Sequence, residues 1–216
     1  MKEIVFLEPN KIDAILFTTS KIVSEWTGVE HRKIKDAINK HKKPLETFGL
    51  LASYQAESMF GRPETYYNLN EQQATLIITF LKNTPVVVAF KTELVRQFYL
   101  MRSELMKRRD LREQLKPIRR EMTDVIQEKE PDNIWAYKQY TDLAYKSATG
   151  KIARKLREER GAEKTANAID YMTSEEINNI AKKENQIAVL LDMGMSYYQI
   201  KSLIFDRDMP QIVEAN

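Results

Sequence analysis

The sequence has no cysteine and little glycine or proline: its 216 residues include 6 Gly and 7 Pro. Without cysteine, a disulfide scaffold, a thiolate metal site and a cysteine nucleophile are excluded, and a reducing compartment is favoured. The apolar runs, such as residues 85–90, are far shorter than the roughly 18–20 residues that a membrane-spanning helix needs. We therefore expect a soluble, cytoplasmic protein with no membrane partner.

The sequence also lacks the motifs of the common enzyme classes. The six glycines are all isolated, so none can form a glycine-rich phosphate loop. No nucleophile elbow or zinc-binding helix is present, and His31 and His41 lie nearly three helical turns apart with no cysteine nearby to complete a metal site. We predict that the protein is not an enzyme and uses no cofactor or metal. A nuclease built from scattered acids is the alternative that stays open.

Charge is distributed unevenly along the chain. Residues 1–120 contain 21 Lys and Arg against 14 Asp and Glu, whereas residues 121–216 contain 13 against 17. The formal net charge of the whole chain is only +3. This asymmetry favours a polyanionic partner for the first part of the chain and a different partner for the second.

Hydrophobic patterning predicts a mainly α fold with a small β component. β-branched and aromatic runs predict four short strands, at residues 3–7, 14–18, 53–56 and 65–69. Asn70 can cap the helix that follows the last strand, and Pro85 suits the first turn of a longer helix. We expect an N-terminal domain at residues 1–106, a basic helical linker at 107–120, an all-α C-terminal domain at 121–208 and a tail at 209–216.

The helix that starts near Pro85 carries one continuous apolar stripe. Its members after Val87 are Phe90, Leu94, Phe98, Met101 and Leu105, at spacings of three and four residues. A stripe of this kind packs on a domain and can continue outward as a coiled coil, so we predict that these residues hold an oligomer together. Pro117, in the basic stretch that follows, is expected to break the helix.

Residues 19–40 have the pattern of a helix-turn-helix. Ser20 is a suitable cap for a first helix at residues 21–26, and Gly28 can take the positive φ that a tight turn needs. A second helix is predicted at residues 30–40. Small Ser24 and apolar Ile34 lie where two crossing helices require a small residue and an anchor.

The second helix of this pair is amphipathic. Ile34, Ala37, Ile38 and His41 share one face, and Arg32, Lys35, Asp36 and Asn39 share the other. Arginine can pair with guanine, asparagine with adenine and lysine with phosphate in a major groove, while Asp36 could read cytosine or orient a neighbouring cation. A solvated basic face is the plainer reading of the same pattern.

The hairpin loop that follows has its tip at Phe60-Gly61-Arg62 and looks like a wing, whose arginine could reach a minor groove or a phosphate. His31 could contact a phosphate or cap local backbone. The predicted DNA-binding residues are Lys21, His31, Arg32, Lys33, Lys35, Asn39, Lys40 and Arg62.

A set of spaced motifs extends over residues 13–106. It comprises Thr18-Thr19-Ser20-Lys21-Ile22-Val23, Gly28, His31, Phe48, Ser53-Tyr54, Gly61-Arg62, Tyr67-Asn68-Leu69-Asn70, Phe90-Lys91, Phe98 and Met101. This set resembles the Rha family of phage regulatory proteins. The resemblance implies a small winged helix-turn-helix-like domain used by temperate phages and prophages for transcriptional control inside the bacterial host. The usual apolar and glycine segment near the middle of that family is replaced here by residues 76–83.

The C-terminal region is helical in pattern. Thr173-Ser174-Glu175-Glu176 is a capping box, and residues 190–200 form a second helix-turn-helix-like pattern with Gly194 in its turn. Its last helix offers only Lys201 and Arg207 against Asp206 and Asp208, so we expect little attraction to phosphate.

Three motifs of this region, Tyr140-Thr141-Asp142-Leu143-Ala144-Tyr145-Lys146, Lys155-Leu156-Arg157 and Asp170-Tyr171-Met172-Thr173, resemble the C-terminal domain of phage antirepressors. That resemblance implies assembly or capture of a repressor. A plain helical bundle that dimerises the protein stays open.

The sequence thus predicts a phage or prophage transcriptional regulator of antirepressor type. It would bind double-stranded DNA as a homo-oligomer, through its N-terminal domain, and control the choice between lysogeny and lysis. The alternative is an antirepressor that sequesters a phage repressor protein and never contacts DNA.

Overall fold

The structure is a computed structural model that describes residues 3–8, 10–56 and 63–206. It is 67% helical with a four-stranded antiparallel sheet, which confirms the mainly α fold with a small β component. The chain divides into two compact units. The first takes the described residues of Met1–Glu8 and Asp13–Ser103, and the second those of Pro9–Ile12 and Glu104–Asn216.

The sheet belongs to the first unit. Its strands are β1 (Phe6–Leu7), β2 (Leu16–Thr19), β3 (Ser53–Ala56) and β4 (Glu64–Asn70), in the order β1-β2-β4-β3. Thr18 pairs with Leu69 and Ser53 with Tyr67 in the register of the sheet. The first strand is shorter than predicted because the Ile4 and Val5 N–H groups donate to Gln97 Oε1, at 2.9 and 3.3 Å, instead of to a neighbouring strand.

The helices of the first unit are α1 (Ser20–Thr27), α2 (His31–Lys40), α3 (Lys42–Glu46), α4 (Glu71–Thr79) and the first part of α5 (Pro85–Lys129). Asn70 caps α4, as predicted, and the structure shows that it does so in a capping box with Gln73. The predicted cap of α1 is wrong. Thr19 caps that helix by accepting from the Ile22 N–H at 3.2 Å, because the Ser20 hydroxyl oxygen instead accepts from the Tyr67 N–H at 3.0 Å.

Helix α5 runs without interruption through Pro117, which corrects the predicted break. A proline inside a helix removes one backbone hydrogen bond and costs about 3 kcal/mol. Leu115 before the proline and Met122 and Ile126 after it are fully buried. Each such side chain stabilises the fold by about 1.5–3 kcal/mol when it is buried, so packing on both sides of Pro117 offsets the loss.

The apolar stripe of α5 is occupied within the chain. Phe90, Leu94, Phe98 and Leu105 are between 1 and 6% exposed, and Met101 is half-buried. Side chains that are already covered by their own chain have no surface to offer to a second copy. The prediction that these four residues form an oligomer contact is therefore wrong, and they are core residues.

The second unit is built on the rest of α5 and on α6 (Ala136–Thr149), α7 (Ala153–Glu159), α8 (Ser174–Asp192) and α9 (Tyr197–Asp206), with a short 3-10 helix at Ala168–Tyr171. One core gathers apolar residues of α5, α6, α8 and α9 around Tyr140 and Ile187. A second core surrounds Tyr145 and Met172. The predicted capping box of Thr173 and Glu176 opens α8.

The second unit contains an ion pair whose carboxylate is buried. Glu184 of α8 is fully buried and paired with Arg119 of α5, whose guanidinium also lies 5.8 Å from the centre of the Tyr145 ring. Burial raises the pKa of the Glu184 carboxyl above its ordinary value in spite of this partner.

No helix in the described part of the chain is long and apolar enough to cross a membrane.

Candidate nucleic-acid interface

Helices α1 and α2 form a tight pair. Gly28 ends α1 in the left-handed conformation, at φ 70°, and its N–H donates to the Ser24 carbonyl at 3.0 Å. The Ser24 hydroxyl donates across the turn to the Val29 carbonyl at 2.7 Å. Ile34 and Ile38 of α2 are fully buried. Since residues four apart share a helix face, this anchoring turns the opposite face of α2 outward.

The outward face of α2 carries cations that are well exposed to solvent and, among the described residues, paired only with residues of the same surface. The Arg32 side chain is 85% exposed and meets Asp36 at 3.9 Å, and the Lys33 side chain is 66% exposed and meets Glu30 at 3.1 Å. Asn39 and Lys40 are exposed as well. Exposed ion pairs one helical turn apart are weak, so a phosphate or a base edge can replace the carboxylate in each of them.

A second group of basic side chains surrounds Glu64, at the start of β4. His31 Nδ1 lies 2.6 Å from the Glu64 carboxylate, Lys21 Nζ 3.3 Å and Lys35 Nζ 3.8 Å. The hydrogen bond with His31, assisted by Lys21, holds the pKa of Glu64 below its usual value. His31 Nε2 is in turn 2.9 Å from the Ser20 hydroxyl, so His31 links α2 to β4 and α1.

Asn39 is held by the sheet. The Tyr67 hydroxyl, from β4, donates to Asn39 Oδ1 at 3.1 Å. The side-chain nitrogen of Asn39 remains available as a donor, and its oxygen keeps a second lone pair. The amide therefore has a fixed orientation on the outer surface of the domain.

The match with a family model covers both of these helices and strands β3 and β4: residues 18–103 match the family described as phage regulatory protein Rha. The N-terminal domain is a Rha-family domain. This confirms the resemblance found in the sequence. A search of the curated proteins found no match to the chain.

Within the Rha-family domain, the structure sorts the predicted DNA-binding residues into two groups. Lys21, His31 and Lys35 converge on Glu64, whereas Arg32, Lys33, Asn39 and Lys40 lie on the open face of α2. Arg62 and the predicted wing tip at residues 60–62 lie outside the described residues.

Two residues that contact the predicted DNA-binding side chains, Glu64 and Tyr67, were not among the residues predicted from the sequence. Strand alternation could have indicated the first, because Glu64 and Tyr66 share one face of β4 and both contact Lys21, the latter with its ring centre 5.5 Å from Nζ. No comparable signal pointed from Tyr67 to Asn39, since that contact joins residues 28 positions apart. Among the described residues, no group of three His, Asp or Glu side chains is arranged to hold a metal ion.

The match ends at residue 103, so the antirepressor-type C-terminal domain stays a prediction. The α8–α9 pair of the second unit contains a groove of about 450 Å³, lined in part by Val189, Leu190, Leu203 and Ile204. Tyr198, on α9, is 80% exposed. Lys183, Asn185 and Gln186 line the rest of the groove, so this surface is mixed but mainly apolar, where the open face of α2 is cationic.

Proposed function

We propose that the protein is a transcriptional regulator of a phage or prophage, that it binds duplex DNA through α1 and α2 as a helix-turn-helix, and that it acts in the choice between lysogeny and lysis. The observation that supports this most directly is the state of Arg32. Its side chain is 85% exposed on a face that also carries Lys33, Asn39 and Lys40, and its carboxylate partner is 3.9 Å away.

The dimensions and chemistry of α2 suit a major groove. Its ten residues give a length of about 15 Å, and the groove is about 12 Å wide. Arg32 has the two parallel donors that guanine O6 and N7 accept. Lys33 and Lys40 can contact the backbone phosphates on either side, and Asn39, held by Tyr67, is oriented for adenine.

The first experiment is a gel-shift assay with fragments of the phage genome, using the full chain, Arg32→Ala and Arg154→Ala. Arg154 is a matched control because it is also an exposed arginine paired one turn away, with Glu158 at 2.9 Å. Loss of a base-contacting arginine costs about 1–3 kcal/mol, so Arg32→Ala should weaken the selective shift about 5- to 150-fold while Arg154→Ala leaves it unchanged. Equal shifts by the two variants contradict the proposal.

The alternative function, capture of a phage repressor without DNA binding, is favoured by the apolar groove and the exposed Tyr198 of the second unit. A pull-down with the repressor encoded beside this protein's gene distinguishes the two. Capture of the repressor together with no shift of any DNA fragment supports the alternative, whereas selective shifts that Arg32→Ala abolishes support DNA recognition.

We also propose that the protein self-associates, since two-fold dimers commonly read paired DNA half-sites. The buried stripe of α5 cannot serve for this, but Val88, Val95 and Tyr99 are exposed on the same helix at spacings of seven and four residues. That is the spacing of a coiled-coil seam, and a second copy presents the matching seam. Light scattering should give a dimer mass for the wild type and a monomer mass for Val95→Glu. A monomeric wild type contradicts this proposal.

A further inference from the structure

Glu64 contacts more basic side chains than the neighbouring acids of the α2 surface do. Its carboxylate faces Lys21 from α1 and both His31 and Lys35 from α2, at 3.3, 2.6 and 3.8 Å. Glu30 pairs with Lys33, and Asp36 pairs with Arg32. Glu64 is thus placed where side chains from two helices converge, and it reaches them from the strand that forms one arm of the hairpin.

The position of this carboxylate is one that a DNA phosphate would also occupy. A phosphate and a carboxylate both present anionic oxygens, and both bind lysine through charge-assisted hydrogen bonds. While Glu64 is in place, Lys21 and Lys35 are partly neutralised, and a phosphate that approaches them also meets the negative charge of Glu64.

The effect of Glu64 falls on the phosphate contacts of the surface. Non-selective binding to DNA comes almost entirely from phosphate contacts, so it depends on cations such as Lys21 and Lys35. Selective binding depends in addition on base contacts, and Arg32 is outside the Glu64 cluster. Because phosphate contacts are alike on every sequence, a carboxylate here weakens binding to all DNA by about the same factor and leaves base reading unchanged.

We propose that Glu64 is an affinity-limiting residue, whose carboxylate holds the place of a backbone phosphate between Lys21 and Lys35 and so lowers the affinity for DNA of any sequence. This inference rests on the proposed DNA-binding function. It assigns to the β3–β4 hairpin a role in tuning the affinity of α2 as well as in supporting it.

The experiment compares the full-length wild type with Glu64→Gln and Glu30→Gln on a short fluorescent duplex of random sequence. Binding is followed by anisotropy between about 50 and 200 mM salt, and each phosphate contact contributes about 0.9 to the logarithmic salt slope. Both variants lose one negative charge next to α2, but Glu64→Gln releases two lysines and Glu30→Gln only one. We expect Glu64→Gln to bind more tightly than the wild type, with a logarithmic salt slope that is steeper by about 2. For Glu30→Gln the slope should be steeper by at most about 1.

Unfolding by urea is measured on the same samples, and Glu64→Asp is included because it keeps the charge but draws it back from the lysines. This variant should give a smaller gain than Glu64→Gln. Weaker binding by a folded Glu64→Gln, or a gain in affinity equal to that of Glu30→Gln, overturns the inference.

A different result would contradict the proposed function itself, namely that the wild type shifts no phage fragment selectively. Tighter random-duplex binding by Glu64→Gln, beyond that of Glu30→Gln, supports the role of Glu64.

Discussion

The protein contains two helix pairs of similar construction and different surface. In the first, α1 and α2 are joined through Gly28 at φ 70°; in the second, α8 and α9 are joined through Gly194 at φ 81°. Each second helix is anchored by two buried isoleucines, which are Ile34 and Ile38 in α2 and Ile200 and Ile204 in α9. The backbone design is therefore shared.

The outward faces of these second helices have little in common. The face of α2 carries Arg32, Lys33 and Lys40, whereas α9 exposes Tyr198 and Leu203 beside a single described cation, Lys201. Because affinity for DNA comes first from cations that meet phosphates, only the first pair is suited to a groove. A glycine turn between two helices therefore does not by itself predict DNA binding, and the charge of the exposed face must be considered as well.

The largest effect is expected for the buried isoleucines, which both helix pairs share. Truncation of a fully buried isoleucine to alanine costs about 2–5 kcal/mol, so Ile34→Ala and Ile200→Ala should each lower the free energy of unfolding by that amount. Trp26 and Trp135 lie in different units, so single-tryptophan backgrounds report each unit during urea unfolding. A cost below about 1 kcal/mol at either position contradicts the common anchoring.

The next prediction concerns the difference between the faces. Arg32→Lys keeps the charge but loses the two-pronged geometry that guanine requires. We expect it to lower discrimination between the selected fragment and random DNA by about 1–3 kcal/mol while affinity for random DNA changes little. Competition binding measures both quantities. Unaltered discrimination in Arg32→Lys shows that Arg32 does not read a base.

A smaller effect is expected for the lysines. Lys33→Ala and Lys40→Ala should each flatten the logarithmic salt slope of DNA binding by about 1, with equal loss on all sequences. Lys201→Ala, on the exposed face of α9, is the control and should leave the slope unchanged. If Lys201→Ala flattens the slope as much as Lys40→Ala does, the two helix pairs do not differ as described.

The smallest effect is a pH dependence that differs between the two units. In the first, the hydrogen bond from Arg96 and a second from Gln97 lower the pKa of Glu93 from 4.5 to about 2. A lowered pKa stabilises the fold above pH 4.5, and this stabilisation is lost as the pH falls through about 2. In the second unit the effect on stability is opposite, because burial raises the pKa of Glu184. The cost of burying its ionised carboxyl is therefore relieved as the pH falls.

The check is urea unfolding of the wild type and Glu93→Gln at several pH values. The wild type should be the more stable at neutral pH, and the difference should shrink as the pH decreases from 4.5 towards 2. A difference that stays constant over this interval shows that ionised Glu93 does not contribute.

Local patterns predicted much of the fold. The capping boxes at Asn70 and Thr173 and the amphipathic α2 follow from residues three or four positions apart, and such signals are readable in one sequence. The burial of the α5 stripe within its own chain could not be predicted in this way, because periodicity shows that a face is apolar but not what covers it. Pro117 shows the same limit, since packing by distant residues overrides a local preference.

The cations of the candidate site, and Asp36 as a local partner of Arg32, were predictable from the sequence, but the distant partners were not. Arg32 and Lys33 were identified from helix periodicity, but Glu64 reaches Lys21 and His31 from a strand more than 30 residues away. Whether a cation is open or neutralised depends on such long-range contacts. The residues that tune a surface are therefore harder to find in sequence than the residues that form it.

The central claim is that the open face of α2, and not that of α9, meets DNA. Photo-crosslinking tests it most directly, with a benzophenone amino acid placed either at Asp36, on the open face of α2, or at Tyr198, on the exposed face of α9. Both side chains are well exposed, so each probe can react with whatever lies against it. We expect a covalent crosslink between the protein and the selected duplex when the probe is at position 36, and no crosslink when it is at position 198. A crosslink from position 198 together with no crosslink from position 36 contradicts the account.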